Sequence, residues 1–324
     1  MNDPGLKFGL TLSNRGIALG LNTPRDLLEL ACLAEDSGLF DSVWVGDSLF
    51  AQPRLDSIAL LAAIAARTSR VKLGPACMGS FPLRHPLVLA YQWASLDQLS
   101  DGRAIMVACS GGRSGNMSPE YGAMGIPVEE RHQRLLEHVT ILRRLWSEEH
   151  VTHHGRFFQF EDVTMLPRPV QQPAPIWLAS NPAAVSAESL ERALRRVARV
   201  GDGWMTHSIP PETFAERWQR VLAYVKGEGR DPTAMGNCLY HNINVGSDRE
   251  RAFEETKAFL DLYYGADYKR PQIQAWSTFG TAEECVEDLR HWKDRGLQRI
   301  TLRLCSRDEK GQLDRLMSEV LPRV

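Results

Sequence analysis

Residues 42–77 read SVWVGDSLFAQPRLDSIALLAAIAARTSRVKLGPAC, and this stretch decides the fold. Ser42–Gly46 is a short run of β-branched and aromatic residues, the composition of a strand. A helical run opens near Asp56 and continues through IALLAAIAARTS, and Val71–Cys77 is a second strand. The local unit is strand, helix, strand, and it repeats in both directions. Upstream, KFGLTLS (Lys7–Ser13) precedes Thr23-Pro24, an N-cap and an N1 proline, and the helix they open stops at Gly38. Downstream, HPLVLAYQWASLDQLSDG carries helical periodicity to Gly102, AIMVAC (Ala104–Cys109) is a further strand, and helix resumes from Glu129 to Trp146.

The alternation then breaks for about thirty residues. VTHHGRFFQFEDV alternates around a glycine in the manner of a hairpin, and LPRPVQQPAP is too rich in proline for a helix or a central strand. After this excursion, over residues 147–174, the strands PIWLAS (Pro175–Ser180), GWMTHS (Gly203–Ser208), NCLYHNINVG (Asn237–Gly246) and RITLRLC (Arg299–Cys305) follow, with helical runs between them. Eight strands alternating with helices, without a polar linker, predict an α/β fold in which residues 1–324 form one (β/α)8 TIM barrel with an insertion before strand five. A doubly wound open sheet is the alternative. It is disfavoured because no GxGxxG follows the first strand.

Charge excludes other classes. The 38 Lys+Arg against 40 Asp+Glu give a net −2, which supplies no basic stripe for nucleic acid. No apolar run reaches the length of a membrane span, and the N-terminus lacks a basic region followed by an apolar stretch, so a cytoplasmic protein is expected. The six cysteines are scattered without a CxxC pair, and most sit in apolar runs, as reduced buried thiols do.

In a barrel the active site is assembled at the C-terminal ends of the strands. Those ends carry Thr11 and Ser13, Gly46-Asp47-Ser48, Ala76 to Ser80, Ser110-Gly111-Gly112, Ser180-Asn181, Thr206-His207 and His241-Asn242. This set is small and polar, with no carboxylate pair for glycoside hydrolysis, no Ser-His-Asp signature and no metal cluster. It points to chemistry borrowed from a cofactor. Small tips let a flat ring approach the backbone, and backbone N–H groups around Ser180-Asn181-Pro182 suit a phosphate.

Six stretches carry a family resemblance: VWVGDS (43–48), RLDSIALLAAIAARTSRVKLG (54–74), PLRHPLVLAYQWASLDQLSDGRAIM (82–106), YGAMGIPVEERHQRLLEHVTILRRLW (121–146), HGRFFQFEDVTMLPRPVQQPAPIWLAS (154–180) and RVGDGWM (199–205). In their order and spacing the chain resembles the bacterial luciferase-like family of flavin-dependent oxidoreductases, over nearly its full length. The resemblance implies a flavin across the barrel mouth, a non-prolyl cis peptide at Ala76-Cys77 beneath its ring, and Ser110 and Gly111 against ring or ribityl atoms. It further implies Ser180 and Asn181 at the phosphate and Arg131 and His132 toward the ribityl-phosphate; Thr11, at the tip of strand one, is expected among the cofactor contacts from its position.

One departure stands out. Many members end strand two with a histidine near the reactive ring edge, whereas here Asp47 is followed by Ser48. Asp47 is kept as a hydrogen-bonding site residue, and His207 and His241 are the alternative titratable groups, provided that the strand register turns them to the mouth. The first functional reading is a two-component monooxygenase using O2 and reduced FMN, supplied by a separate NAD(P)H flavin reductase, on a small organic substrate. The second is hydride transfer with the 8-hydroxy-5-deazaflavin coenzyme F420, a branch to which Arg84-His85-Pro86 is also similar. The third is a non-catalytic flavin-binding barrel. The family resemblance further implies a homodimer through the helices after strands two and three, including Ile58 to Ala66. A substrate pocket is expected from residues 111–127 with Met78, Phe81 and Trp204, beneath a lid at 265–280 whose Lys269 and Arg270 face an anionic group.

Overall fold

The computed structural model describes residues 5–112, 117–181 and 186–324. Its strands are β1 (Lys7–Leu12), β2 (Phe40–Val45), β3 (Lys72–Pro75), β4 (Met106–Ala108), β5 (Val151–His154), β6 (Gln159–Val163), β7 (Ile176–Ala179), β8 (Gly203–His207), β9 (Gly236–Val245), β10 (Ser277–Gly280) and β11 (Arg299–Leu304). Its helices are α1 (Pro24–Ser37), α2 (Ser57–Ala65), α3 (Pro86–Leu99), α4 (Met117–Ala123), α5 (Arg131–Ser147), α6 (Ala187–Val200), α7 (Pro211–Gly227), α8 (Arg249–Tyr264), α9 (Arg270–Gln274), α10 (Ala282–Asp294) and α11 (Glu309–Arg315).

The local signals act as their chemistry requires. Thr23 caps α1 through a reciprocal pair of hydrogen bonds with Asp26, and Gly38 ends it at φ +69°, where a side chain would be strained. Asp56 accepts the N–H groups of Ile58 and Ala59 to start α2.

Eight strands run parallel in the order β3-β2-β1-β11-β9-β8-β7-β4. Bridges Leu73↔Ala104 and Met78↔Ala108 join β3 to β4 and complete the ring, so the molecule is the expected TIM barrel. The closure is tight. A Cβ on Gly74 would stand 2.5 Å from the Ile105 carbonyl oxygen and 2.7 Å from the Trp44 ring, so only glycine fits there. Inside the ring, Trp44, Ile105, Val107, Trp177, Met205 and Cys238 pack together, while the main apolar cluster lies between strands and helices. The 147–174 excursion contains the antiparallel hairpin β5-β6.

The 265–280 stretch differs from the expected lid. Residues Arg270–Gln274 form the short α9, and Ser277–Gly280 is a strand paired in parallel with Asn242–Val245 of β9. The reason is length. β9 has ten residues, whereas β8 pairs with it only through Tyr240, so the rest of that edge is open to β10. Among the described residues no helix is long and apolar enough to cross a membrane.

Candidate active site

A cavity of about 740 Å³ lies at the C-terminal ends of the strands. Its small-residue tips are Ala76 and Cys77 after β3, Ser110 and Gly111 after β4, and Ala179 and Ser180 at the end of β7. The Ala76-Cys77 peptide is cis. The thiols of Cys77 and Cys109 contact one another across the β3–β4 junction, which lowers the pKa of Cys109 and raises that of Cys77.

After β2 the rim is held by two carboxylates. Asp47 accepts the Ser57 hydroxyl at 2.6 Å and the Ser80 N–H at 2.7 Å, and Arg84 lies 3.5 Å away. It lines the cavity, but its oxygens are spent joining the end of β2 to α2 and to the loop after β3. Ser48, in the place of the family's histidine, donates to the Gln52 carbonyl at 2.7 Å. Glu120 of α4 accepts the N–H groups of Leu49, Phe50 and Ala51, which fixes the same loop from the other side.

One end of the cavity is strongly positive. Arg131, His132 and Leu135 enter it from α5, and Ser189, Ala193 and Arg196 from α6. Burial lowers the Arg196 pKa, and the charges that act on it are the guanidiniums of Arg131, Arg199 and Arg192, with no carboxylate among them. A half-buried guanidinium with other guanidiniums acting on it favours an anion beside it. Ser180 and Asn181 border this end, and Asn181 is 3.4 Å from Nδ1 of His207.

His207 faces the cavity from β8, and burial pushes its pKa down to about 4, so the ring is neutral at pH 7. It stands beside the aromatic wall of the opposite end, 5.5 Å from the Trp276 ring and 6.4 Å from Tyr240. There Arg303 donates through Nη1 to the Tyr264 hydroxyl at 2.5 Å, and that hydroxyl lies 3.1 Å from the Tyr240 hydroxyl. At the rim, Arg54 Nη1 sits 1.9 Å from where a Cβ on Gly46 would be, so the missing side chain makes room for this guanidinium.

Of the residues expected from sequence, Asp47, Ala76, Cys77, Ser110, Gly111, Arg131, His132, Ser180, Asn181 and His207 line this one cavity. Two do not. Thr11 is buried in the barrel below, its hydroxyl 2.6 Å from that of Thr301. His241 points outward from β9, with Nε2 3.2 Å from the Thr278 hydroxyl and its ring against Trp292 of α10. Strand alternation explains the pair of outcomes, because Tyr240 takes the inward position and its neighbour must face the helices.

Met78, Phe81 and Trp204 are likewise core residues; Trp204 stacks between Phe214 and Trp218 instead of facing a substrate. Lys269 pairs with Asp267, and Arg270 pairs with Glu250 while covering the Phe253 ring, so both are engaged on the surface. Pro182 and residues 113–116 of the 111–127 loop lie outside the described residues. Sequence reading missed Arg196, Tyr264, Trp276 and Arg303. The arginine inside the apolar run ITLRLC was a visible signal, since a charge in a central barrel strand needs a reason.

The arrangement fits a flat ring with an acidic tail. Small tips border the cavity, and the guanidiniums of Arg131 and Arg196 line it together.

Comparison with known proteins gives the family. The sequence profile of the family described as luciferase-like monooxygenase matches residues 6–299. The F420-dependent glucose-6-phosphate dehydrogenase of Nakamurella multipartita is 29% identical over 352 aligned positions, covering 100% of this chain and 98% of that protein. An F420-dependent secondary alcohol dehydrogenase, solved with an F420-acetone adduct, has a TM-score of 0.79 at 21% identity, covering 98% of this chain and 99% of that one, a likeness in fold. The monooxygenase RslO1 from Streptomyces bottropensis has a TM-score of 0.78 at 27% identity, with the same coverage.

Proposed function

The chain belongs to the luciferase-like monooxygenase family and is an oxidoreductase, and from that premise we propose that it transfers a hydride between coenzyme F420 and a small organic substrate. The observation that carries this reading is the end-to-end match to a relative named for its dependence on F420. It favours the second of the sequence readings over the FMN-dependent monooxygenase placed first. The third, a non-catalytic barrel, is set aside by the chain's standing as an oxidoreductase.

When bound, the deazaflavin supplies a two-electron hydride carrier. The chain's own residues do the rest. Arg131 and Arg196 hold the acidic tail by charge-assisted hydrogen bonds, with Ser180 and Asn181 beside them. Ala76, Cys77, Ser110 and Gly111 support the ring. His207, neutral and next to the aromatic wall, offers a hydrogen bond to a substrate oxygen without bringing a charge. Asp47 positions the loops around the ring and takes no proton in this scheme.

RslO1 supports a second reading, oxygen chemistry with reduced FMN from a partner reductase. Anaerobic titration separates the two. The proposal expects reduced F420 to bind at least about tenfold more tightly than reduced FMN, a difference of about 1.4 kcal/mol. Tighter binding of reduced FMN, followed by a flavin-oxygen adduct on mixing with O2, replaces it with the second reading.

The cytoplasm is the proposed compartment, as six cysteines without a disulfide among them fit. A homodimer is proposed as well, supported by Val88 and Tyr91 of α3, which are 55% and 53% exposed beside Leu166. Light scattering at micromolar concentration tests it, and a monomeric mass removes it.

A further inference from the structure

Arg303 is 1% exposed, on a central strand, and no carboxylate pairs with it among the described residues. The groups that act most on it are the phenols of Tyr240, Tyr263 and Tyr264, whose rings lie 5.0, 4.4 and 5.6 Å from the guanidinium carbon. Glu309 feels its field but makes no ion pair with it among the described residues; that carboxylate accepts the Asn22 amide at 3.0 Å. Nη1 donates to Tyr264, whereas Nε is buried without a hydrogen-bond partner among the described residues.

The other buried arginines behave differently. Arg299, also on β11, donates through Nε and Nη2 to the Asp41 carboxylate at 2.5 to 3.2 Å. Arg103 donates to the carbonyls of Ala65, Thr68, Val71 and Ser100 and to the Thr68 hydroxyl. A fold able to satisfy those two has left the third open, and an unpaired buried charge costs several kcal/mol unless something else compensates it.

Position says what does. Arg303 lines the cavity, as does Trp276, whose indole N–H is also buried without a partner. With Nη1 taken by Tyr264, the edge left to Arg303 is Nε with Nη2, the fork that grips two oxygens of a planar group. We infer that the substrate is an organic acid and that its carboxylate docks on the Nε–Nη2 edge of Arg303, with the Trp276 N–H as the adjoining donor. The inference rests on the reading of this cavity as the substrate site of an oxidoreductase, but not on which coenzyme occupies its other end.

The test uses the full chain without coenzyme. Acetate, glycolate, pyruvate and orthophosphate are titrated at constant ionic strength against wild type, Arg303→Met, Arg303→Lys and Trp276→Phe, reading tryptophan emission and Tm. A carboxylate is expected to change emission in wild type, with affinity about 10- to 100-fold weaker in Arg303→Met, as loss of a charged hydrogen-bond pair implies. Arg303→Lys keeps the charge but not the fork and falls between the two, and Trp276→Phe loses most of the emission change. Unliganded Arg303→Met melts close to wild type, because the charge it removes has no carboxylate partner among the described residues and the apolar chain keeps the ring contacts. Equal carboxylate affinity in wild type and Arg303→Lys or Arg303→Met overturns the inference, and so does an Arg303-dependent response to orthophosphate alone. If Arg303→Met does not fold, the Lys variant and the indole signal still decide. Carboxylate binding with no F420 binding leaves this inference standing and removes the coenzyme reading; the reverse result does the opposite.

Discussion

Arg299 and Arg303 stand four residues apart on one strand, and they divide the barrel into two ends with different tasks. At the lower end Arg299 is neutralised by Asp41 and lies 5.6 Å from the Trp177 ring. That ring is packed so closely on Gly203 and Gly236 that a Cβ at either would fall within 2.5 Å of it. At the upper end phenols surround Arg303 and other guanidiniums act on Arg196, and neither has a carboxylate ion pair among the described residues. The lower end spends its charges on itself; the upper end holds them for something that comes and goes. Stability and function thus occupy opposite rims of one barrel, as the fold's general rule expects.

The comparison breaks most sharply at the lower end. Arg299→Met strands Asp41, which is 28% exposed, and is expected to cost about 2–4 kcal/mol in urea unfolding, somewhat less than breaking a fully buried pair. Arg303→Met measured in the same way should lose almost nothing, and equal losses would erase the distinction between the ends. Next in size, Arg196→Ala should weaken F420 binding about 10- to 100-fold while Tm stays near wild type. A large fall in Tm with unchanged binding would move Arg196 into the structural set.

Acid sharpens the comparison from another side. Burial pushes the His241 pKa down to about 3, so its ring stays neutral while the unfolded chain takes up protons near pH 6.5, and burial lowers the His138 pKa in the same direction. The unfolded state then binds more protons, and stability, full above pH 6.5, falls as pH drops toward 4. Between pH 7 and 4.5 the His241 share of that loss is about 2.5 kcal/mol, and His241→Gln should flatten the profile accordingly. The smallest expected effect is Tyr264→Phe, which removes one hydrogen bond from Arg303 and should weaken carboxylate docking by about fivefold, or ~1 kcal/mol. Unaltered affinity there would mean that the guanidinium orients itself without the phenol.

Much of this was legible from residue types alone. The eight barrel strands announce themselves because each is a short apolar run bounded by turn residues, and the hairpin does so through its central Gly155. STFG at 277–280 gives no such sign. It becomes β10 only because β9 outruns β8, a fact of tertiary geometry that no local pattern contains. The same strand explains the difference between His207 and His241. Cys238, Leu239, Tyr240 and His241 are all buried, one face by the barrel interior and the other by helices, so polarity does not reveal which side faces in. Arg196 hid for the opposite reason: in SAESLERALRRVARV it is one of several arginines on an exposed-looking helix, and only the packing of α6 over the cavity singles it out.

The touching thiols of Cys77 and Cys109 have a practical consequence. They lie on the cavity floor, while Cys238, Cys285 and Cys305 are buried elsewhere and Cys32 is remote on α1. Because both line the cavity, a ligand that fills it shields them from a thiol reagent. With Cys32 replaced by serine, the labelling rate becomes a chemical gauge of occupancy, read without any turnover. The chain carries its own reporter for every ligand tested above.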